Sequence, residues 1–115
     1  MKTITCIEAL EGLSVIGQEN LPVTVSYQIA EHVSKLKEVA DSFFDSRAKM
    51  IEKLKEKHGE DIPEEVNEKF VNEVQGMLEK DVDMELDRID LSACDIKVNA
   101  KVLSMCLPLI RVTQE

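Results

Sequence analysis

Six acidic side chains crowd the stretch EKDVDMELDRID, residues 79–90, and they are the groups most suggestive of chemistry in this chain. Carboxylates at alternate positions are what an EF-hand loop offers to calcium, and Asp81, Asp83 and Glu85 would take positions 1, 3 and 5 of such a loop. Position 6 would then be Leu86, where the turn requires glycine, and position 12 would be a serine, where a bidentate glutamate belongs. The spacing therefore argues against calcium, and we predict no metal site and no cofactor.

The acidic stretch has two other interpretations. Val82, Met84 and Leu86 alternate with acids, which predicts a half-exposed strand with a solvated polar face. Alternatively, the carboxylates form a charged row that binds a protein partner by imitating nucleic acid. The residues of this predicted acidic surface are Asp81, Asp83, Glu85, Asp87 and Asp90.

The charge of the chain is concentrated around this stretch. Residues 58–90 contain twelve acids and three bases, and their balance of −9 equals the net charge of the whole chain. This excess of acids argues against direct binding to nucleic acid phosphates and to anionic membranes. No apolar run approaches the roughly 18 residues of a membrane span, so we expect no membrane partner.

The histidines and cysteines offer little catalytic context. His32 and His58 lie too far apart on one predicted helix to share a metal ion, and His32 is expected to be exposed. A nucleophilic pair between a histidine and Cys94 or Cys106 would need an activating environment that the sequence does not reveal. The sequence contains no HExxH, GxSxG or phosphate-binding glycine loop, and we therefore predict a protein that is not an enzyme.

Three cysteines, Cys6, Cys94 and Cys106, form no CxxC motif. An odd number of cysteines is most simply explained by free thiols in a reducing cytoplasm, with one disulfide as the alternative.

The elements that would position these groups are mainly helical. The length of 115 residues favours a single domain over residues 1–115. A short strand is predicted at residues 2–6, followed by a helix that begins near Thr5, with Glu8 completing a capping box, and ends near Gly17.

The strongest pattern is a heptad seam that predicts one long helix from Val23 to His58. Such a helix would be about 50 Å long and needs a partner helix to cover it. Arg47 occupies a seam position. Its guanidinium group either reaches water or pairs with an acid, which would lie on a second helix of the same chain or on another subunit. The apolar seam residues are Ile29, Val33, Leu36, Ala40, Phe43, Met50 and Leu54.

A second helix is predicted from about residue 63 to residue 80, after a reversal at Gly59. It would pair antiparallel with the long helix in a hairpin over residues 23–80, and the surplus length of the first arm must find another surface. The remainder, residues 82–112, is predicted to contain the acidic strand, a second short strand near Ile96, and a helix capped by Asn99. The inward residues of the second arm are Val66, Phe70, Val74, Met77 and Leu78.

This arrangement resembles a group of small, uncharacterised tailed-bacteriophage proteins. The resemblance lies in Leu21 and Pro22 before a long helix, an arginine late in that helix, a glycine in the reversal, a variable acidic arm and a closing segment. Its matching residues are Leu21, Pro22, Arg47, Gly59, Asn99 and Pro108. The resemblance implies a phage gene product in the host bacterial cytoplasm or in the virion.

Two functional hypotheses follow. The first is a phage assembly or accessory factor that binds a phage or host protein and forms a homo-oligomer through its helices, with Phe43, Arg47, Met50 and Leu54 fixing the register. The second is an acidic inhibitor of a host defence or nucleic-acid-processing enzyme that acts through residues 58–90.

Overall fold

A computed structural model describes residues 1–92, 94 and 98–111. The fold is mainly helical, as predicted, and measures 56 × 24 × 22 Å. Its elements are α1 (Thr3–Ile16), α2 (Val23–His58), α3 (Glu64–Glu79), β1 (Ile89–Asp90), α4 (Ala100–Cys106), a 3-10 turn (Leu107–Leu109) and β2 (Ile110–Arg111).

Helix α1 lies at the centre of a packed unit that we call the body. The body consists of α1, the first half of α2, the segment 80–91 and residues 98–111. The side of α1 that is fully covered carries mostly small residues, among them Cys6, Ala9 and Gly12, which let neighbouring elements approach closely. A β-carbon at Gly12 would lie 3.1 Å from the Val102 carbonyl oxygen of α4, so glycine is what allows this contact.

The first residues of the chain correct one prediction. Helix α1 begins at Thr3, so a strand over residues 2–6 is wrong, and the predicted capping box at Thr5 lies inside the helix. Only Lys2 forms a bridge, which pairs it antiparallel with Asp81. The Thr3 amide and hydroxyl both donate to the Lys80 carbonyl, at 2.9 and 3.2 Å, and these bonds hold the start of α1 against the end of α3.

Helix α2 has the predicted bounds, from Val23 to His58. Its seam is buried at Ile29, Leu36 and Phe43, and the first two belong to the core shared with α1 and the segment 80–91. The surplus length of the first arm therefore packs on the body. Gly59 ends the helix with φ +65°, a conformation that glycine adopts without the steric cost of a β-carbon.

Helix α3 returns along the second half of α2 and completes the predicted antiparallel hairpin. Every one of its 16 residues is half-buried or exposed. The predicted inward residues, from Val66 to Leu78, are all half-buried. We call residues 44–79, which project from the body, the hairpin tip.

The acidic segment alternates as predicted but is not a strand along its length. Val82, Met84 and Leu86 are half-buried against the core, and the acids between them are exposed. Within the part of the chain that the structure describes, strand-type pairing of this segment is confined to the bridge at Asp81 and to β1. The half-buried face packs on side chains of α1 and α2, so burial alternates although the described residues 82–88 belong to no sheet.

The C-terminal part closes the body. Asn99 caps α4 as predicted, because its side-chain oxygen accepts a hydrogen bond from the Val102 amide at 2.9 Å. Strand β2 pairs in parallel with β1, with Ile89 opposite Ile110, and both isoleucines are buried. The predicted strand near Ile96 falls outside the described residues.

Candidate functional site

Five exposed carboxylates line one edge of the body, and we call them the acidic strip: Asp81, Asp83, Glu85, Asp87 and Asp90. The first end of the strip is held by backbone pairing to the start of the chain. The Val82 amide donates to the Met1 carbonyl at 2.7 Å, and the Met1 ammonium donates to the Val82 carbonyl at 3.3 Å. The backbone under the acids is therefore fixed, while the carboxylates lie in water.

His32 holds the other end of the acidic strip, and its prediction as an exposed residue is wrong. Its side chain is 93% buried, because the acidic segment crosses this face of α2 and covers it. The ring nitrogen Nε2 lies 2.6 Å from the Asp87 carbonyl oxygen. Since that oxygen can only accept, Nε2 donates the hydrogen bond, and the buried Nδ1 has no hydrogen-bond partner among the described residues.

The last acid of the strip is used locally. Asp90 Oδ1 accepts hydrogen bonds from the Ser92 amide at 2.9 Å and from the Ser92 hydroxyl at 2.6 Å. This arrangement is an Asx-type turn that redirects the chain after β1. Asp90 therefore serves the fold, and the exposed charge of the strip comes chiefly from the four acids before it.

The strip is a row of charges along one segment of chain. Alternate residues of an extended chain are about 7 Å apart, so the carboxylates are spread along the segment. Among the described residues, no three His, Cys, Asp or Glu side chains are grouped to hold a metal ion. A row of this kind can bind a basic surface through long-range attraction.

The hairpin tip is the second candidate surface, because the apolar residues of α2 and α3 are half-buried or exposed there. A cavity of about 420 Å³ near the turn is lined by residues of both arms, including Leu54, His58, Val66 and Phe70. A second cavity, of about 590 Å³, lies farther along between Met50 and Met77. Both cavities are open to solvent, so the apolar side chains that line them are only half covered by the facing arm.

Arg47 and its neighbours mark where the body ends and the tip begins. Phe43 is buried, whereas Arg47 is exposed and its guanidinium carbon lies 5.3 Å from the centre of the Phe44 ring. Phe44 in turn packs edge-to-face on Phe43, with ring centres 5.2 Å apart. The Arg47 guanidinium is therefore exposed to solvent and stacks on the Phe44 ring. Among the described residues it makes this contact and no ion pair with α3.

Four apolar residues lie at the flanks of the tip, and the sequence predicted an apolar role for only one of them, Leu78. Phe44 and Val71 are 42% and 53% exposed, and Ile51 and Leu78 are half-buried. Each helix carries two of them seven residues apart, Phe44 with Ile51 and Val71 with Leu78. That spacing was the available signal, because residues seven apart lie on the same side of a helix.

The cysteines are free thiols, as the sequence analysis favoured. Cys6 and Cys106 lie fully inside the core, and burial raises the pKa of both thiols. A thiol with a raised pKa is a poor nucleophile at neutral pH, since the thiolate is the reactive form. Cys94 is half-buried.

Comparison with known proteins provides no relative. Comparisons of the chain with protein-family models, with curated proteins and with solved structures found no match in any of the three. No helix in the described ranges is long and apolar enough to cross a membrane.

Proposed function

We propose that this chain is a non-enzymatic interaction protein, a bacteriophage assembly or accessory factor that works as a homo-oligomer through its helical hairpin. The observation that carries the proposal is the hairpin tip, which projects from a well-packed body with its apolar residues only half covered. The seam residues Met50 and Leu54 remain half-buried in the chain by itself. Half-exposed apolar seams of this kind gain stability by packing against further helices.

The phage context of the proposal comes from the resemblance at Leu21, Pro22, Arg47, Gly59, Asn99 and Pro108. The site of action would be the cytoplasm of the host bacterium or the virion, and the partner would be a phage or host protein.

The proposal is tested by affinity capture from bacterial lysates with and without phage infection, read by mass spectrometry. The baits are the wild-type chain and a variant carrying Met50→Gln and Leu54→Gln. We expect phage particle or replication proteins with the wild-type bait and a loss of them with the variant. Capture of the same proteins by both baits would refute a role for the hairpin seam.

The exposed acidic strip supports a second candidate, an inhibitor of a host defence or nucleic-acid-processing enzyme. The strip presents its charges on a backbone already fixed by Met1, Thr3 and His32, so little ordering cost accompanies binding. The test uses the triple variant Asp83→Lys, Glu85→Lys and Asp87→Lys.

This candidate expects a captured nuclease or polymerase that is lost with the triple variant and released as salt rises. A matched control reverses two exposed acids of α1, Glu8→Lys and Glu11→Lys, and should leave the capture unchanged. Equal capture by the wild type and the triple variant would end this second candidate.

A further inference from the structure

The two arms of the hairpin tip carry opposite charge. Residues 47–58 of α2 hold five bases and two acids, a net charge of +3, whereas α3 holds five acids and one base, a net charge of −4. All of these charged side chains are exposed. Opposite charge on adjacent arms favours the antiparallel pairing within one chain, but it also leaves each arm able to attract a second helix of opposite sign.

Each arm also has an apolar flank that its own partner arm does not cover. On α3, Val66, Phe70, Val74 and Met77 form the row that faces α2. Val71 and Leu78 extend that row sideways, and Val71 remains 53% exposed. A helix whose apolar stripe is widened in this way is typical of one that packs against two neighbours rather than one.

Helix α2 shows the same widening. Ile51 follows the seam residue Met50, and Phe44 precedes Ile51 by two helical turns on the same side. The Phe44 ring is 42% exposed under the Arg47 guanidinium. The two arms therefore present an apolar flank next to charges of opposite sign, which is the composition of a helix bundle made from two hairpins.

We propose that two copies of this chain associate through their hairpin tips in a four-helix arrangement with alternating charge. In this arrangement each acidic α3 lies between its own basic arm and the basic arm of the partner copy. The alternative, with the two basic arms face to face, would place +3 against +3 and is disfavoured by repulsion. This inference rests on the proposed function as a homo-oligomer and adds the surface and the pairing.

The first test is the salt dependence of association, measured by sedimentation equilibrium of the full chain at about 50 and about 500 mM sodium chloride. The Debye length falls from about 14 Å to about 4 Å over this range. We expect a dimer whose dissociation constant rises about tenfold or more with salt. A dimer that is unchanged or tightened by salt would overturn the alternating arrangement and leave the homo-oligomer standing. A monomer under both conditions would overturn this inference and the oligomeric part of the proposed function together.

The second test uses a matched pair of exposed valines. Val71→Gln should weaken the dimer about tenfold or more, since the apolar contact of this flank is lost in both copies. The control is Val23→Gln. Val23 is 84% exposed and lies at the end of α2 that is farther from the hairpin turn, so this substitution should leave the dissociation constant unchanged. Both side chains are exposed in the single chain, so circular dichroism should give the same helix content for both variants. Equal dimerisation of the two variants would overturn the proposed surface.

The third test exchanges the charges. One variant makes both arms acidic through Lys49→Glu, Lys53→Glu and Lys57→Glu. The other makes both arms basic through Glu64→Lys, Glu68→Lys and Glu73→Lys. We expect each variant alone to be monomeric and an equimolar mixture to form the heterodimer. A mixture that stays monomeric, although both variants keep their helix content, would overturn the proposal.

Discussion

Replacing glycine by alanine at two positions, one in the body and one in the hairpin tip, tests how closely the body is packed. Gly76 lies in α3, and a β-carbon there would meet no other atom within 4 Å. Gly12 lies in α1, where a β-carbon would stand 3.1 Å from the Val102 carbonyl oxygen and 3.2 Å from Cys106 Sγ. Replacing each glycine by alanine adds the same methyl group to a helix interior in two different surroundings.

Gly76→Ala should stabilise the chain, whereas Gly12→Ala should not. In a helix interior alanine is favoured over glycine by about 1 kcal/mol, so Gly76→Ala should raise the free energy of unfolding by about that amount. Gly12→Ala has the same intrinsic gain. It also forces α4 away from α1, and overpacking of this kind costs about 1–3 kcal/mol. We expect Gly12→Ala to be neutral to about 2 kcal/mol destabilising, and to be less stable than Gly76→Ala by about 1–3 kcal/mol.

The assay is urea unfolding followed by circular dichroism at one protein concentration, because association would otherwise contribute to the difference. Gly12→Val enlarges the clash and should destabilise further. If Gly12→Ala stabilised the chain as much as Gly76→Ala does, the close contact between α1 and α4 would be refuted.

Three further predictions concern the histidines and cysteines. His32→Ala should lower the free energy of unfolding by about 2 kcal/mol, since it removes a buried ring and its hydrogen bond to a backbone carbonyl, whereas His58→Ala at the end of α2 should cost less than about 1 kcal/mol in the same urea assay. In the folded protein, a thiol reagent followed by mass spectrometry should label Cys94 well before Cys6 and Cys106, and equal labelling rates would contradict the described core. Burial raises the pKa of the Cys6 and Cys106 thiols above the ordinary 9.0. Because the unfolded chain loses these protons at a lower pH than the folded chain, the free energy of unfolding should fall as pH rises past about 9. A Cys6→Ala, Cys106→Ala variant should show a shallower fall.

The hairpin was predictable from the sequence because its signals are local. A sustained heptad pattern, the glycine at position 59 and the proline at position 63 placed both helix ends within a residue or two of those observed. The cap at Asn99 and the alternating burial from Val82 to Leu86 depend on equally short spacings.

The organisation of the body was not predictable in the same way, because it depends on which distant segment covers which face. The helical spacing of four large apolar residues predicted α1: Ile7, Leu10, Leu13 and Ile16. Leu13 and Ile16 are fully buried as that spacing suggests, whereas Ile7 and Leu10 are only half-buried. The close approach of α4 is at Gly12, whose small size carries little hydrophobic signal.

The candidate surfaces also combine features that local spacing predicts with features that depend on distant segments. The exposure of the acidic strip could be predicted because acidic and apolar residues alternate there, and alternate residues of an extended segment face opposite sides. The burial of His32 did not follow from its neighbours on α2, because the segment that covers it lies 55 residues away along the chain. The parallel pairing of Ile89 with Ile110 likewise joins two-residue strands that are too short to leave a pattern.

The way the body is closed has a consequence for the order of folding. The contacts that close it join residues far apart along the chain, such as Thr3 with Lys80, whereas the turn of the hairpin joins neighbours. Closing long loops costs more entropy and is slower than forming local helices. The hairpin should therefore form first, both in refolding and on the ribosome. Before the body closes, the apolar faces of the two hairpin helices are the surfaces most exposed to other chains.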